Sequence, residues 1–361
     1  MDRIKGDSGI SGGPHKWLSS YFTDRYQSVN VYGHSSIKCK LPTGFPQGSR
    51  IGPLCFKKYT KPLTAIAKKH GVRIHLYADD TQLYLAFDKD VMNTALSQMG
   101  SCIDEIRLWM RCNYLKLNDS KTEFIIFHSK HQKLSFDDCR LRIGDDLIKP
   151  TQSARNLGIM MDSTFEMHQQ IASITRSCYA QLRGISKIRA YLTEEATKML
   201  INALVTSRLD NGNVLLYGLS NATIHKLQLV QHNAARVIKR LKYHDHITSV
   251  LKNLHWLPIK KRIDYKIALM TFKSLAGSGP TYFEDTVKSY SSGRAGLRSE
   301  EKREIDRPSN NANMVYYGKR SFLHASPAIW NHLPSPVRKT TTLNGFKKEL
   351  KTHLFKLNFD E

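Results

Sequence analysis

Residues 72–87, VRIHLYADDTQLYLAF, decide the fold of this chain. They contain two β-rich runs, at 72–77 and 81–87, which Ala78-Asp79-Asp80 joins. Two such runs with a short polar connection predict a β-hairpin. The tip of the predicted hairpin therefore carries the neighbouring carboxylates of Asp79 and Asp80.

The sequence around this hairpin alternates between helical and β-rich segments. Apolar residues recur every three or four positions over 54–69 and 91–113, which predicts an amphipathic helix on each side of it. This mixture indicates an α+β fold for residues 1–160. The other predicted elements of this region are a helix over 14–30 that ends near Asp24, a glycine-rich loop over 42–53, and strands at 29–32, 36–41, 121–128 and 141–148.

Helices predominate after about residue 165. Segments 194–207 and 224–241 are amphipathic, and Ser220-Asn221 is a helix-start signal for the second of them. Residues 291–314 are polar, charged and poor in aliphatic side chains, which is typical of a mobile loop or linker. We therefore predict an all-α region over 161–290, a polar linker over 291–314, and a basic C-terminal region over 315–361 that includes a helix at 343–357.

The chain is strongly basic. Its 361 residues include 55 Lys and Arg against 31 Asp and Glu, which gives a net charge of +24. Such a charge attracts polyanions, and the release of condensed counterions favours nucleic acid as the partner. A membrane surface is the alternative, but the sequence holds no apolar run long enough to cross a bilayer and no evident anchor. We therefore expect RNA or DNA partners and no membrane.

The cysteines bear on the cellular compartment. Six cysteines are scattered over the first half of the chain without a CxxC pair, which predicts reduced and mostly buried thiols. The first residues show neither a secretory nor an organellar signal. We expect an intracellular protein, in the nucleus, the cytoplasm or both, and the sequence leaves the oligomeric state open.

The Asp79-Asp80 pair suggests metal chemistry but does not establish it. Adjacent carboxylates repel each other, and a hard divalent cation such as Mg²⁺, or Mn²⁺, neutralises them through oxygen ligation. The alternative is an ordinary turn, because aspartate is common in turns, and the dipeptide alone favours that alternative. Its neighbours in the sequence change the balance.

Four motifs occur in a fixed order around the pair. GFPQGSRIGPL (44–54) offers glycines that let the backbone approach a ligand, and Gln47 offers an amide for a base or sugar edge. YADDTQLY (77–84) follows, then LKLNDSKTEF (115–124) and RNLGI (155–159). Taken in this order, the motifs resemble the reverse transcriptases of non-LTR retrotransposons, which are LINE-type and jockey-like elements. The resemblance extends through the C-terminal half, for example in LQLVQHNAARVIKR (227–240) and SPAIWNHLPSPVR (326–338).

The resemblance implies a role for each motif. It implies a partial polymerase palm, built from the β-hairpin and helices, followed by an all-α thumb and a basic helical C-terminal region. The implied activity is RNA-directed DNA synthesis on an RNA template, with a DNA primer and deoxynucleoside triphosphates. The implied site residues are Asp79 and Asp80 as metal ligands, Lys121 as a catalytic proton donor to pyrophosphate, Pro46, Gln47, Gly48 and Tyr77 facing template and nucleotide, and Leu157 and Gly158 in the primer grip.

The same resemblance implies a third palm aspartate on a strand ahead of GDSGISGG (6–13). We therefore expect this chain to be a C-terminal fragment of an ORF2-type polyprotein and to be inactive alone. The first rival hypothesis is a non-enzymatic RNA- or DNA-binding remnant of a mobile element. A second rival is a protein-interaction scaffold without a nucleic-acid role.

Residues 225–262 carry a strong excess of basic side chains. They carry nine Lys and Arg against one acid, Asp245. A solvated surface is the usual reason for a charge run, whereas interleaved aromatic residues suit a nucleic-acid backbone. We expect Trp109, Trp256 and Trp330 to be core residues. The candidate backbone-binding residues are Arg236, Lys239, Arg240, Lys260, Lys261 and Arg262.

Overall fold

The computed structural model describes residues 5–6, 9–44, 48–129, 136, 138–283, 286–289, 303–308 and 318–359. The chain divides into two units. The first unit comprises Met1–Phe124 and Ser135–Pro150, and the second comprises Ile125–Leu134 and Thr151–Glu361. Helices dominate the second, which we call the helical unit. Helices and strands together give the mixed α+β character that the sequence predicts.

The first unit combines short helices with two-stranded antiparallel pairs. Its elements are α1 (Gly12–Phe22), β1 (Tyr26–Gln27), β2 (Asn30–Val31), β3 (His34–Ser35), β4 (Cys39–Lys40), α2 (Gly52–Thr60), α3 (Pro62–Lys69), β5 (Arg73–Tyr77), β6 (Asp80–Tyr84), α4 (Met92–Cys112), β7 (Leu141–Ile143) and β8 (Asp146–Ile148). Strand β5 pairs with β6, and β7 pairs with β8. Strand β1 pairs with β4, and the β2–β3 pair lies between them in the sequence.

The first helix ends as predicted, whereas the strands after it are shorter than predicted. Helix α1 ends two residues before Asp24, whose φ of +50° is incompatible with a continuing right-handed helix. The segments 29–32 and 36–41 are β-rich and are predicted to pair with each other, but β2 pairs with β3, and only Ser36, whose N–H donates to the Val29 carbonyl at 2.8 Å, joins the two predicted segments. The rest of the predicted pairing is wrong, because β4 pairs with β1 instead.

Two helices replace the single helix predicted over 54–69. Helices α2 and α3 meet at Lys61-Pro62. Proline has no backbone N–H, and its ring clashes with the carbonyl four residues earlier, so a helix does not pass through it undisturbed. Pro62 instead occupies the first position of α3, where no intrahelical N–H is required.

The predicted strand over 121–128 is absent. Asp119–Lys121 is a single 3₁₀ turn, and residues 122–128 follow as irregular backbone. A β-strand is defined by a ladder of hydrogen bonds to a neighbouring strand. The His128 N–H instead donates at 3.0 Å to the carbonyl of Ser163, one residue past the end of the strand Ile159–Asp162. The ring of Phe127 stacks on Phe165 at 4.2 Å.

The strand predicted over 141–148 is a hairpin rather than one strand. Strands β7 and β8 pair with Ile143 opposite Asp146, which leaves Gly144-Asp145 as a two-residue turn. Gly144 has a φ of +63°, a conformation that glycine adopts without steric penalty.

The amphipathic helix predicted over 91–113 is confirmed and organises the first unit. Helix α4 buries Cys102 and Ile106 against Leu63 and Ala67 of α3. On another side it buries Ile103 against Leu141 and Ile143 of β7. The β5–β6 hairpin is thus supported by two packed helices.

The helical unit begins with one more hairpin and continues almost entirely as helices. The elements of the helical unit are β9 (Ser153–Asn156), β10 (Ile159–Asp162), α5 (His168–Ile188), α6 (Glu194–Ile201), α7 (Ser207–Asp210), α8 (Asn221–Lys239), α9 (Thr248–Asn253), α10 (Ile259–Leu275), α11 (Phe322–Trp330), α12 (Ser335–Arg338) and α13 (Leu343–Phe359). A π-helical turn, Asn202–Thr206, joins α6 to α7, so the two helices together cover the helix predicted over 194–207.

Two hydrophobic cores hold the helical unit together. The first is centred on α5 and α8 and includes Cys178, Leu227 and Ile238. The second joins α10, α11 and α13 through Phe272, Trp330 and Phe346. The predicted helix over 224–241 is confirmed with its start signal, because the Ser220 side chain accepts a hydrogen bond from the Thr223 N–H at 3.3 Å.

The tryptophans and cysteines largely follow the sequence predictions. Trp256 and Trp330 are buried, and Trp109 is half-buried beside the core of the first unit. All six cysteines are free, and four of them are buried. Burial raises the pKa of the Cys178 thiol to about 11, so this side chain acts as a small apolar core residue.

Part of the predicted linker over 291–314 is packed rather than loose. Residues 291–302 and 309–314 lie outside the described residues, but 303–308 do not. Ile305 is buried in the second core and bridges Ser289 in antiparallel fashion. Among the described residues, none of the helices is both long and apolar enough to cross a membrane.

Candidate metal-binding hairpin and its surroundings

The β5–β6 hairpin places the two aspartates differently from the prediction. Tyr77 pairs with Asp80, so the turn consists of Ala78 and Asp79 alone, and Asp80 is the first residue of β6. Ala78 has a φ of +52°, as the first position of a tight two-residue hairpin requires. The carboxylates therefore leave the backbone from a turn and from the strand beside it.

Strand alternation decides which way Asp80 faces. Residues Ile74, Leu76 and Leu83 pack against the core built by α3 and α4. Asp80 has the opposite parity from Leu83 and shares the outer face with Tyr77, which is 65% exposed. The outer face also carries a stacked pair, His75 and Tyr84, with His75 Nε2 3.1 Å from Tyr84 Oη.

The tip is chemically suited to a hard cation. Asp79 and Asp80 are both exposed, adjacent in sequence, and provide only oxygen ligands. Mg²⁺ binds through one or two carboxylates and keeps its remaining positions for water and phosphate oxygens. Within the described part of the chain, no group of three His, Cys, Asp or Glu side chains comes together as a complete metal cage. The protein ligands available at this tip are thus the two carboxylates.

The β7–β8 hairpin repeats the same arrangement. Asp145 lies in its turn and Asp146 begins the second strand, so Gly144-Asp145-Asp146 matches Ala78-Asp79-Asp80 position by position. The local backbone therefore does not distinguish the two Asp-Asp tips. This second pair also has a sequence signal, because a Gly-Asp turn signal and an Asp-Asp dipeptide are both present at 144–146.

The predicted catalytic lysine lies on a turn that an ion pair fixes. Arg107 of α4 donates from both terminal nitrogens to the carboxylate of Asp119, at 3.0 and 2.8 Å. The Lys121 N–H donates to the carbonyl of Asn118 at 3.2 Å, which closes the 3₁₀ turn. The Lys121 side chain is exposed. Arg107 thus ties the turn that carries Lys121 to the central helix.

Replacing Arg107 with methionine tests this connection. We expect the free energy of unfolding to fall by about 1–3 kcal/mol, because two charge-assisted hydrogen bonds are lost from a partly buried site. We also expect faster amide hydrogen exchange at Lys121 and Thr122. Urea denaturation and exchange mass spectrometry measure the two effects.

The matched control is Arg142→Met. Arg142 pairs with Asp104 of the same helix at 3.3 Å, but its side chain is 69% exposed. An exposed pair contributes little, so its loss should change stability by less than about 0.5 kcal/mol and leave Lys121 exchange unaltered. Equal effects of the two substitutions would contradict the positioning role of Arg107.

The predicted nucleotide-facing loop is only partly described. Pro46 and Gln47 lie outside the described residues. Gly48 has a φ of +78°, and a side chain there would meet open space. Ser49 Oγ accepts a hydrogen bond from the Gly52 N–H at 2.9 Å, which anchors the end of the loop to the start of α2.

The predicted primer-grip residues form the turn of the β9–β10 hairpin in the helical unit. Leu157 and Gly158 have φ values of +46° and +81°, the conformation of a tight hairpin turn. Gln170 of α5 accepts a hydrogen bond from the Met160 N–H at 2.9 Å. The side chain of Ile159 lies directly against the backbone of Gly212. The hairpin is therefore fastened to the helices that follow it.

The predicted backbone-binding cations are mostly engaged within the helical unit. Lys239 pairs with Glu194 at 2.5 Å, and this contact lowers the pKa of the Glu194 carboxyl. Arg262 forms a two-armed ion pair with Asp210. Lys261 lies 3.9 Å from Asp264, and Lys260 is exposed. Burial raises the pKa of the Asp264 carboxyl, against the opposing effect of the two lysines.

Arg236 and Arg240 form no ion pair of the kind that Lys239, Lys261 and Arg262 form within the described residues. Arg236 donates to Asn233 Oδ1 at 3.4 Å and lies over the ring of Tyr243, 5.5 Å from its centroid. Arg240 donates to the carbonyls of Arg189 and Ala190. Within the described residues, neither arginine has a carboxylate partner, so both retain an uncompensated positive charge.

Comparisons with known proteins agree with these motifs. Residues 9–161 match the family model described as reverse transcriptase (RNA-dependent DNA polymerase). The chain is 25% identical over 260 residues to the probable RNA-directed DNA polymerase from transposon BS of Drosophila melanogaster, covering 68% of the chain and 28% of that protein. It is 23% identical over 175 residues to the RNA-directed DNA polymerase from mobile element jockey of Drosophila melanogaster, covering 47% of the chain and 18% of that protein.

The chain thus spans less than a third of the length of either relative. No solved structure matches it. The matched region 9–161 contains both aspartates of the hairpin tip, Lys121, and the Leu157-Gly158 turn.

Proposed function

We propose, from the match of residues 9–161 to the reverse transcriptase family model, that this chain belongs to an RNA-directed DNA polymerase of a non-LTR retrotransposon. Its partners are then an RNA template, a DNA primer and deoxynucleoside triphosphates. The observation that carries the proposal is the exposed Asp79-Asp80 tip within the YADDTQLY motif, on a hairpin whose inner face is anchored to two packed helices.

In this proposal, residues of the first unit bind the metal ion and protonate the leaving group. Asp79 and Asp80 hold Mg²⁺ or Mn²⁺, because both carboxylates are exposed and the hairpin register keeps them together. The chemistry that such an ion supplies is activation of the primer 3′-hydroxyl and neutralisation of charge on the departing pyrophosphate. Lys121, held by its Arg107-fixed turn, protonates the leaving pyrophosphate.

The remaining site residues contact substrate. Gln47 and Gly48, with Pro46 and Tyr77, face the template and the incoming nucleotide. Tyr77 supports this assignment, since its exposed ring lies opposite Asp80 on the outer face of the hairpin. Leu157 and Gly158 hold the primer end. The first unit is the polymerase palm, and the helical unit contains the thumb and the basic C-terminal region.

Metal binding provides the first test. We expect Mn²⁺, followed by electron paramagnetic resonance, to bind the wild-type chain and to bind Asp79→Asn about 10- to 100-fold more weakly, at least the effect of losing an outer-sphere partner. Asp145→Asn removes the same charge from the equivalent turn of the β7–β8 hairpin and should leave the affinity within about twofold. Equal losses in both variants would show that the two Asp-Asp tips attract the ion alike, which would contradict a dedicated site at Asp79.

Primer extension on an RNA template provides the second test. Extension by the wild-type chain that Asp79→Asn abolishes and Asp145→Asn preserves supports the mechanism. Extension that survives Asp79→Asn would refute it. RNA binding that is indifferent to Mg²⁺ and to Asp79→Asn, with no extension at all, would favour the non-enzymatic nucleic-acid-binding rival.

A further inference from the structure

The ends of helices α5 and α8 meet in a basic surface with exposed aromatic rings. Helix α5 is followed by the 3₁₀ turn Arg189–Tyr191, and α8 ends at Arg240, whose φ is +54°. Arg240 Nη2 lies 3.1 Å from the Arg189 carbonyl oxygen and 3.4 Å from that of Ala190. Tyr191 therefore follows directly on residues that Arg240 contacts. We call this region the double-end surface.

Three arginines give the double-end surface its charge. Arg189 donates to the carbonyls of Val237, Ile238 and Leu192, at distances between 2.7 and 2.9 Å. Arg236 and Arg240 likewise contact only neutral groups. Among the described residues, none of the three guanidinium groups forms an ion pair with a carboxylate, although the charge of Arg189 contributes to the lowered pKa of the Glu194 carboxyl. The carbonyl ends of two helices are negative by dipole, and these arginines more than offset them.

Two tyrosines give the same surface its aromatic character. Tyr191 is 88% exposed, and Tyr243 is 77% exposed. The Arg236 guanidinium lies over the Tyr243 ring, 5.5 Å from its centroid, and helps to position that ring. The loop that carries it is closed by Asp245, which accepts the Lys242 N–H at 2.7 Å. Both rings are thus largely exposed, and the Tyr243 ring is held beside Arg236.

This combination fits single-stranded nucleic acid. Unpaired bases stack on aromatic rings whatever their sequence, while arginines follow the phosphate backbone. A duplex offers phosphates but keeps its bases stacked on each other, so it cannot use the tyrosine faces. We propose that the double-end surface binds an unpaired stretch of RNA or DNA, with a base stacked on Tyr191 and another on Tyr243. The choice of ligand rests on the proposed function, whereas the site lies apart from the metal-binding residues.

Fluorescence anisotropy with a labelled 12-nucleotide RNA and the full chain tests the proposal. We expect Tyr191→Ala and Tyr243→Ala each to weaken single-strand binding by about 5- to 100-fold, the range of stacking effects on alanine substitution. Binding of a blunt duplex of the same sequence should change by less than about twofold. The Tyr→Phe variants keep the ring and should bind within about threefold of wild type.

Salt dependence separates stacking from charge. The tyrosine variants should leave the slope of log affinity against log salt unchanged, whereas Lys242→Gln, which removes a positive charge next to Tyr243, should reduce it by about 0.7. Tyr282→Ala is the matched control, because Tyr282 is an exposed tyrosine elsewhere in the helical unit. Thermal unfolding verifies that each variant is folded.

Two results would overturn the proposal. One is single-strand binding that survives the double Tyr191→Ala/Tyr243→Ala substitution. The other is an equal loss of single-strand and duplex affinity, which would show general charge attraction. Neither result depends on Mn²⁺ binding at Asp79, so failure of this proposal and failure of the proposed function are distinguishable.

Discussion

Gly212→Ala is expected to lower the free energy of unfolding of the helical unit by about 2–4 kcal/mol. Two penalties combine at this position. Gly212 has a φ of +63°, where any Cβ is strained, and the new methyl group would overlap Cδ1 of Ile159 and lie 3.3 Å from its Cγ1. Urea denaturation followed by circular dichroism measures the loss.

A control and a rescue separate the two penalties. Gly277 has nearly the same φ, +62°, with no atom within 4 Å of a built Cβ, so Gly277→Ala should show only the strain, about 1 kcal/mol. Ile159→Val removes the overlapping methyl group. In the Gly212→Ala background it should therefore restore about 1–2 kcal/mol, although alone it destabilises by about 0.5–1.5 kcal/mol. Purely additive effects would contradict the contact between the β9–β10 hairpin and the Gly212 loop.

Trp330→Ala is expected to destabilise the helical unit by about 3–5 kcal/mol. The indole is 1% exposed, lies 5.6 Å from the ring of Phe346, and fills the second core. It also donates from Nε1 to the Arg303 carbonyl at 2.8 Å, so its removal leaves that carbonyl without this partner. Trp330→Phe keeps much of the ring but loses the hydrogen bond, and should destabilise by about 1–3 kcal/mol. Urea denaturation of both variants gives the comparison.

The neighbouring Asn331 provides a separate readout. Its side chain accepts the Ile305 N–H at 3.0 Å and donates to the Ile305 carbonyl at 2.9 Å, which holds residues 303–306 in place. Trp330→Ala should therefore also expose the Arg303–Glu304 bond to trypsin. Asn331→Ala should reproduce that cleavage with a smaller loss of stability. Resistance of Arg303 in both variants would show that these contacts do not retain the segment.

Local patterns predicted the elements that depend only on local chemistry. The β5–β6 hairpin, α4, α8 with its Ser220 cap, and α13 all follow from periodicity and start signals. Errors arose where a punctuating residue lay inside a longer apolar pattern. Pro62 divides the helix over 54–69, and Gly144 divides the strand over 141–148. Both signals are present in the sequence, and each interrupts an apolar pattern that is otherwise continuous.

Other features were beyond local reading because they depend on distant partners. Residues 121–128 have strand-like composition but form no strand, and the His128 N–H bonds the Ser163 carbonyl beyond the end of β10. The Arg107–Asp119 ion pair joins α4 to the 3₁₀ turn Asp119–Lys121, and the sequence of neither segment alone predicts it. The Asp-Asp dipeptide occurs at two equivalent hairpin tips, so its surrounding motif, rather than its geometry, identified Asp79 and Asp80 as the candidate site.

The crossed arginines at the double-end surface also determine how that surface moves. A helix end usually frays on its own, since its last carbonyls are bonded only to water. Here Arg189, at the end of α5, bonds the last carbonyls of α8, and Arg240, at the end of α8, bonds the carbonyls that follow α5. Neither end can unwind without releasing the other. The two ends therefore form one cooperative opening unit, and a ligand that settles there has little backbone disorder to remove.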